Sequence, residues 1–167
     1  MSRLDAFVHR VQAQRACIDA VAAKADGMAG PVLEVGLGNG RTYDHLRVRF
    51  PDRAIIVFDR AVEAHPDCIP PRQFLRLGDF RNTIPAYLAE SQPPAVFIHA
   101  DVGSFNKEAS TRLAADLAPS FLRILAPGGF LACDQPIDLP GLERLPLPDN
   151  QDDGWYHLFR RSDHAVP

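Results

Sequence analysis

The sequence contains no apolar run that approaches the roughly 20 residues of a membrane-spanning helix. Its N-terminus lacks the uninterrupted apolar core of a signal peptide, because charged residues recur there every few positions. No stretch is biased enough in composition to be called low-complexity or disordered. These absences argue against a membrane protein or a membrane partner, and they predict a packed protein of the cytoplasm.

Cysteine is scarce, and the three residues of this type are scattered with no CxxC spacing. An odd number of distant cysteines predicts neither a disulfide framework nor a structural zinc site. We therefore expect Cys17, Cys68 and Cys133 to be free and buried thiols.

Positive charge is not in excess, since 18 Lys and Arg residues stand against 21 Asp and Glu residues and the net charge is −3 at pH 7. Proteins whose main partner is a nucleic acid or an anionic membrane usually carry an overall or clustered positive charge. We expect neither partner here. A length of 167 residues with 46% hydrophobic content fits one domain with a sizeable core, which we assign to residues 1–167.

Apolar runs and helical patterns alternate along the chain. An amphipathic helix is predicted from Ser2 to Ala25, within an N-terminal segment 1–26, because apolar residues recur there at helical spacing. Further helical patterns lie at 41–50, 82–90 and 107–125, the last with a predicted kink at Pro119.

Short continuous apolar runs are typical of parallel strands that are covered on both faces. Five such runs lie between the helical patterns, at 32–35, 54–58, 74–77, 95–98 and 129–133. Strands that alternate with helices predict an α/β fold with a doubly wound, mostly parallel sheet.

The tail, residues 135–167, differs in character because four prolines between positions 136 and 148 exclude a long helix. Two predicted strands, 142–147 and 155–160, would form a C-terminal β-hairpin on the edge of the sheet. The acidic stretch from Asp149 to Asp153 is expected to be its solvated loop. We expect the aromatic residues of the second strand to lie in the core, namely Trp155, Tyr156 and Phe159.

A glycine-rich turn joins the first predicted strand to the next helix, with the sequence Glu34-Val35-Gly36-Leu37-Gly38-Asn39-Gly40. Glycine adopts positive φ freely and lets a ligand approach the backbone, so these alternate glycines predict a site for a nucleoside cofactor. Asp59 stands nineteen positions beyond Gly40, at the end of the second predicted strand. A carboxylate there can accept hydrogen bonds from both ribose hydroxyls.

The turn resembles the first motif of class I methyltransferases that use S-adenosylmethionine (SAM), in which an acidic residue stands two positions before the first glycine. In the dinucleotide fingerprint G-x-G-x-x-G the third glycine would fall at Arg41, whereas the methyltransferase pattern places it at Gly40. This difference favours SAM over NAD. The resemblance implies a Rossmann-like methyltransferase fold, SAM as cofactor and S-adenosylhomocysteine (SAH) as product.

Three later segments resemble the same family in the same order. Gly78-Asp79-Phe80 resembles the loop after the third strand, where the resemblance implies that Asp79 binds the adenine amino group and Phe80 packs on the ring. His99-Ala100-Asp101 resembles the segment after the fourth strand, which faces the methyl donor. Residues 125–130 resemble the L-x-P-G-G turn that reverses the chain before the fifth strand.

The resemblance thus implies one set of cofactor-binding residues. Glu34 is expected beside the charged methionine end of SAM, and Asp101 near that end or near the acceptor. The full set is Glu34, Gly36, Leu37, Gly38, Asn39, Gly40, Asp59, Arg60, Asp79, Phe80 and Asp101.

His99 is the candidate for a catalytic general base, because it lies at a predicted strand end beside Asp101. Catechol-type O-methyltransferases hold a divalent cation at the equivalent strand ends with Asp-x-Asp and Asp-Asn. Here His99 replaces the first carboxylate and Gln135 replaces the amide, so the oxygen ligands that magnesium prefers are depleted. We expect no metal site, although a softer metal could use His99 with Asp134.

The expected acceptor is a small molecule, and the residues do not indicate which one. The Pro-rich stretch 135–148 replaces a helix that often supplies substrate contacts in the family, which leaves the N-terminal helix and the tail as lids. The sequence therefore leaves undecided whether the protein is a homo-oligomer in which a neighbouring subunit closes the site. Two other functions also stay open: a SAM-binding regulatory protein without turnover, and an NAD-dependent oxidoreductase.

Overall fold

The computed structural model describes residues 1–148 and 154–163. Helices and strands alternate over most of this length. The helices are α1 (Arg3–Lys24), α2 (Arg41–Arg49), α3 (Phe80–Ala89) and α4 (Lys107–Ile124). The strands are β1 (Val32–Val35), β2 (Ile55–Asp59), β3 (Leu75–Leu77), β4 (Ala95–Ala100), β5 (Leu125–Cys133), β6 (Leu142–Leu145) and β7 (His157–Arg161).

The strands form one seven-stranded sheet in the order β3-β2-β1-β4-β5-β7-β6. Strands β1 to β5 pair in parallel, whereas β7 runs antiparallel to both β5 and β6. The doubly wound, mostly parallel sheet is confirmed, and so is the C-terminal hairpin at its edge. The order reverses between β1 and β4, which is where open α/β sheets place their ligands.

Alternate residues of the central strands lie in two separate apolar cores, one on each face of the sheet. In β1, Val32 packs with α1 and α2 on one face, and Leu33 packs with α3 and α4 on the other. This arrangement explains why the strands appear in the sequence as continuous apolar runs, because both of their faces are covered by helices.

Helix α1 begins with a capping box, in which the Ser2 hydroxyl accepts from the backbone N–H of Asp5 and the Asp5 carboxylate accepts from the N–H of Ser2. These bonds satisfy N–H groups that the helix cannot pair internally. The helix occupies almost the whole of the predicted range. In the described part of the chain, no helix is long and apolar enough to cross a membrane.

The fifth strand is longer than predicted. It begins at Leu125, so the segment expected to be a chain-reversing turn belongs to the strand, with a register shift against β4 between Ala95 and Phe97. Pro119 lies inside α4, which continues across it. Tyr156 and Phe159 are buried as expected, and so are Cys17 and Cys133, whereas the free thiol of Cys68 is partly exposed. The predicted loop 149–153 lies outside the described residues.

Candidate functional site

All three glycines of the turn between β1 and α2 have positive φ, and two of them show what the turn requires. Gly36 has φ +97°, and a Cβ there would lie 2.2 Å from the carbonyl oxygen of Asp101, so only glycine fits. Gly38 has φ +49°, and a Cβ there would have no heavy atom within 4 Å. The turn therefore packs tightly against β4 on one side and leaves open space on the other.

Asp59, at the end of β2, holds this turn in place. One of its carboxylate oxygens accepts from the backbone N–H groups of Leu37 and Gly38 at 2.7 and 3.0 Å, and the other accepts from the N–H of Arg60 at 2.6 Å. A carboxylate offers about four lone-pair positions, so this one can still accept a further hydrogen bond. Asp59 lies beside the glycine turn, as the sequence predicts.

Two cavities open along the glycine turn. The first, which we call the α1 cavity, has a volume of about 510 Å³ and extends under the N-terminal helix. The second, which we call the Asp59 cavity, has a volume of about 430 Å³ and extends toward α3 and α4. They share four lining residues, namely Gly36, Gly38, Asp101 and Gly103. Together they form one groove across the carboxyl ends of β1, β2 and β4.

The Asp59 cavity contains two more of the predicted residues. Arg60 and Phe80 line it, and Phe80 is buried at the start of α3. Asp79 does not line it, because its side chain caps α3 by accepting from the N–H of Arg81 at 2.9 Å. Asp79 reaches the groove only through an ion pair of 3.7 Å with Arg60.

The α1 cavity is lined by one side of the N-terminal helix and by the glycine turn. Leu37 and Asn39 line it, whereas Gly40 is buried against Cys68 and Ala64 and does not. The residues that α1 contributes are Phe7, Arg10, Val11, Gln14, Arg15 and Ile18. The helix therefore forms one wall of the α1 cavity and contributes no residue to the Asp59 cavity.

Asp101 lies where the two cavities meet and is held by two side chains of α1. Its carboxylate accepts from Arg10 at 3.2 and 3.3 Å and from the Gln14 amide at 2.6 Å. Asp101 therefore lies in the groove, and its hydrogen bonds connect α1 to the segment that follows β4. Sequence periodicity could not reveal Arg10 or Gln14 as site residues, because the contact joins positions about ninety residues apart.

Glu34 and His99 are not placed as the sequence predicts. They are partners in the parallel register of β1 and β4, both side chains have no exposed surface, and Oε2 of Glu34 lies 2.6 Å from Nδ1 of His99. The other oxygen of Glu34 accepts from the Thr42 hydroxyl. Glu34 is therefore enclosed in an ion pair and lines neither cavity, so the structure does not bring it to the groove where we expected the methionine end of SAM.

The second ring nitrogen of His99 is also engaged, since Nε2 lies 2.5 Å from the hydroxyl of Tyr156. Burial is the largest single effect on the pKa of His99 and lowers it. The charge of Glu34, the hydrogen bond to Glu34 and the charges of Asp101 and Asp134 together outweigh burial, so the pKa lies above its usual value. A base enclosed in this way cannot reach an acceptor. The assignment of His99 as general base is therefore replaced by a structural role in the ion pair.

Asp134, the other acidic residue near the shared end of the cavities, is held by internal hydrogen bonds. Its carboxylate accepts from the N–H of Val102 at 3.2 Å and from the side-chain amide of Gln135 at 2.9 Å. Burial and the nearby charge of Asp101 raise the pKa of Asp134. Among residues 1–148 and 154–163, no three acidic, histidine or cysteine side chains are grouped so that they could hold a metal ion.

Comparison with known proteins shows the family of this chain. A family model described as S-adenosyl-L-methionine methyltransferase matches residues 1–161. The crystal structure of an S-adenosyl-L-methionine methyltransferase from Silicibacter pomeroyi is 44% identical, with a TM-score of 0.92 and coverage of 97% of this chain and 99% of that one. The TrmN structure from Thermus thermophilus has a TM-score of 0.58 at 18% identity, covering 86% of this chain and 48% of that one, which shows the fold alone.

A more distant relative, trans-aconitate 2-methyltransferase from Methylobacterium nodulans, is 28% identical over 145 residues. The match covers 78% of this chain but 43% of that enzyme, so the chain spans less than half of the relative's length. The family match, by contrast, extends over nearly the whole chain, from α1 through the hairpin. The glycine turn, the carboxylate of Asp59 and this match together place the chain in the S-adenosyl-L-methionine methyltransferase family.

Proposed function

We propose that this protein transfers a methyl group from SAM to a small-molecule acceptor. The observation that carries the proposal is the meeting of the two cavities at Gly36, Gly38, Asp101 and Gly103. A ligand with a nucleoside at one end and an amino acid at the other can lie along such a groove with its middle at the shared residues.

The Asp59 cavity suits the adenosine part of SAM. Asp59 can accept one further hydrogen bond, from a ribose hydroxyl, and Phe80 offers an apolar wall. The empty space beside Gly38, which a side chain would fill, leaves the backbone open to the cofactor.

The α1 cavity suits the methionine part and the acceptor. The carboxylate of Asp101 is complementary to an ammonium group, and the guanidinium of Arg10 to a carboxylate, so this pair matches the two charges of an amino acid. When bound, SAM supplies a methyl group on a positively charged sulfur. The chain's own contribution is to hold donor and acceptor in line and to exclude water beneath α1.

The size of the α1 cavity supports a small acceptor, since about 510 Å³ lies within the range of small-molecule sites. The Methylobacterium nodulans relative is named for methylation of trans-aconitate, which is a small organic molecule. The acidic charge balance and the free cysteines support a cytoplasmic enzyme that does not act on nucleic acids. A homo-oligomer stays a prediction, which light scattering on the purified protein would check.

The function is tested by two measurements on the purified protein. Calorimetric titration should show binding of SAM and SAH, with much weaker binding of NAD. Incubation of SAM with a panel of small hydroxyl, amine, thiol and carboxylate acceptors should then yield SAH. Tight SAM binding with no SAH from any acceptor would instead favour a regulatory protein without turnover, and preferential NAD binding would favour an oxidoreductase.

A further inference from the structure

The α1 cavity has more positive charge than the cofactor requires. Three guanidinium groups line it, those of Arg10, Arg15 and Arg41, against the single carboxylate of Asp101. This excess is local, because the whole chain carries a net charge of −3. Because the α1 cavity is positively charged in a protein of negative net charge, it favours anionic ligands.

Only part of this charge is neutralised within the protein. Arg10 is paired with Asp101 at 3.2 Å. His45, which also lines the cavity, lies 2.8 Å from Asp19. Within the described ranges, Arg15 and Arg41 have no carboxylate partner.

The surroundings of Arg41 keep its charge available. Its guanidinium lies 5.9 Å from the centre of the Phe7 ring, and the amide oxygen of Asn39 is within hydrogen-bond distance once that amide is oriented toward it. Both neighbours are uncharged. Arg15 is exposed on α1, one position beyond Gln14. Arg15 of α1 and Arg41 of α2 thus both line the α1 cavity, and neither guanidinium has a carboxylate partner among the described residues.

The cofactor does not account for these two groups. The amino acid end of SAM carries one positive and one negative charge, and Asp101 and Arg10 already provide the complement of both. The sulfonium adds a further positive charge. Arg15 and Arg41 are therefore free to bind a second anion.

We propose that the acceptor is a small carboxylate and that Arg15 and Arg41 bind it. This inference rests on the proposed function and names the substrate class of the same site. Guanidinium groups bind carboxylates through paired, charge-assisted hydrogen bonds, which orient the acceptor as well as attract it.

The chemistry of such an acceptor agrees with the rest of the site. A carboxylate oxygen forms a bond to the methyl carbon while the bond between that carbon and sulfur breaks, and the electron pair of the broken bond stays on sulfur. The products are a methyl ester and SAH, and no proton moves. A carboxylate is already ionised near neutral pH, so the transfer requires no general base, in agreement with the enclosure of His99.

The experiment titrates the SAH complex with small carboxylates and with matched neutral compounds. The probes are acetate, succinate and tricarballylate, each compared with its amide. The variants are Arg15→Gln and Arg41→Gln, and Arg3→Gln is the matched control because Arg3 is exposed on the same helix and does not line the cavity. SAH affinity is measured for each variant in parallel.

We expect at least one carboxylate to bind about tenfold more tightly than its amide, and each of the two variants to weaken that binding about tenfold. SAH affinity should change less than about threefold, and Arg3→Gln should change neither. Equal binding of acids and amides, or no binding of any acid, would overturn the inference. Loss of SAH affinity in Arg15→Gln and Arg41→Gln would also overturn it, since the arginines would then hold the cofactor.

The acceptor panel separates this inference from the function on which it rests. Formation of SAH with alcohols, amines or thiols but not with carboxylates leaves the methyltransferase function intact and refutes the carboxylate. Binding of carboxylates at Arg15 and Arg41 with no SAH from any acceptor supports the anion site and refutes turnover.

Discussion

The hydroxyl of Tyr156 lies 2.5 Å from Nε2 of His99, although the two residues are 57 positions apart in the sequence. The other nitrogen of the same ring faces Glu34, which in turn accepts from Thr42 in the first turn of α2. Hydrogen bonds thus connect the C-terminal hairpin to both ends of the glycine turn. The glycine turn is therefore anchored through His99 by Tyr156, which directly precedes β7.

Tyr156→Phe should lower the free energy of unfolding by about 1–3 kcal/mol, because it leaves Nε2 of His99 buried without a partner. Urea unfolding followed by fluorescence measures the change. Tyr87→Phe is the matched control, since Tyr87 is also buried but no hydrogen bond of its hydroxyl is found among the described residues. Equal losses in the two variants would show that the bond to His99 contributes nothing.

The ion pair of Glu34 and His99 should make stability depend on pH. The folded pKa of His99 is raised, despite the opposing effect of burial, by Glu34. Its stabilising contribution is therefore complete below the unfolded pKa of about 6.5 and is lost as pH rises through the folded pKa.

The reference for this prediction is the double variant Glu34→Gln/His99→Gln, which removes both groups. From about pH 6 upward, the wild type should lose up to about 1.4 kcal/mol of stability per pH unit relative to the double variant. Urea unfolding at several pH values measures the difference. A difference that does not change with pH would mean that folding does not raise the pKa of His99.

Asp59→Ala should weaken SAH binding at least about tenfold, equivalent to more than about 1.4 kcal/mol, because it removes a hydrogen-bond acceptor for ribose and releases two N–H groups of the glycine turn. Calorimetric titration measures the affinity. Asp52→Ala, in an exposed loop before β2, should leave it unchanged. Unaltered SAH binding by Asp59→Ala would remove Asp59 from the cofactor site.

Gly38→Val should abolish SAH binding, because the new side chain would occupy the space that both cavities share. Gly27→Val is the matched control, since Gly27 also has positive φ, at +79°, with nothing within 4 Å of a Cβ, and does not line either cavity. Both variants have similar backbone strain, so melting temperatures should fall by similar amounts. Only Gly38→Val should lose the ligand.

Methyl transfer should survive exhaustive treatment with EDTA. Asp134 uses its carboxylate oxygens for bonds to Val102 and Gln135, and His99 is enclosed, so neither is available as a ligand. The measurement is SAH production before and after chelation. If activity disappears and a divalent cation restores it, Asp134 would have to exchange its internal bonds for the metal.

The sheet could be predicted from the sequence because continuous apolar runs and helical spacing indicate which residues of a strand or helix are buried. This pattern is visible within each element by itself. The glycine turn and Asp59 could be predicted for a similar reason, since backbone conformation limits the residues that the turn accepts. The start of β5 at Leu125 could not, because its Pro-Gly-Gly segment is typical of turns and only pairing with β4 extends the strand.

The roles of Glu34 and His99 could not be predicted from local sequence. Considered alone at the end of its own strand, each side chain is expected to be available to a ligand. Only the register of β1 against β4 places them side by side, and register is a property of the assembled sheet. For the same reason the sequence does not reveal Arg10 as a site residue, because its partner Asp101 lies 91 positions away.

The pairing of Glu34 with His99 also fixes how two distant parts of the chain align. Every other side chain where β1 pairs with β4 is apolar, so those contacts alone would tolerate several alignments. A slip of one residue would place His99 opposite Leu33 or Val35 and would leave the Glu34 and His99 side chains on opposite faces of the sheet. The cost of two unpaired buried charges makes that alignment inaccessible. A chain with leucine at both positions would therefore gain buried apolar surface but lose the ion pair that favours this alignment of β1 and β4.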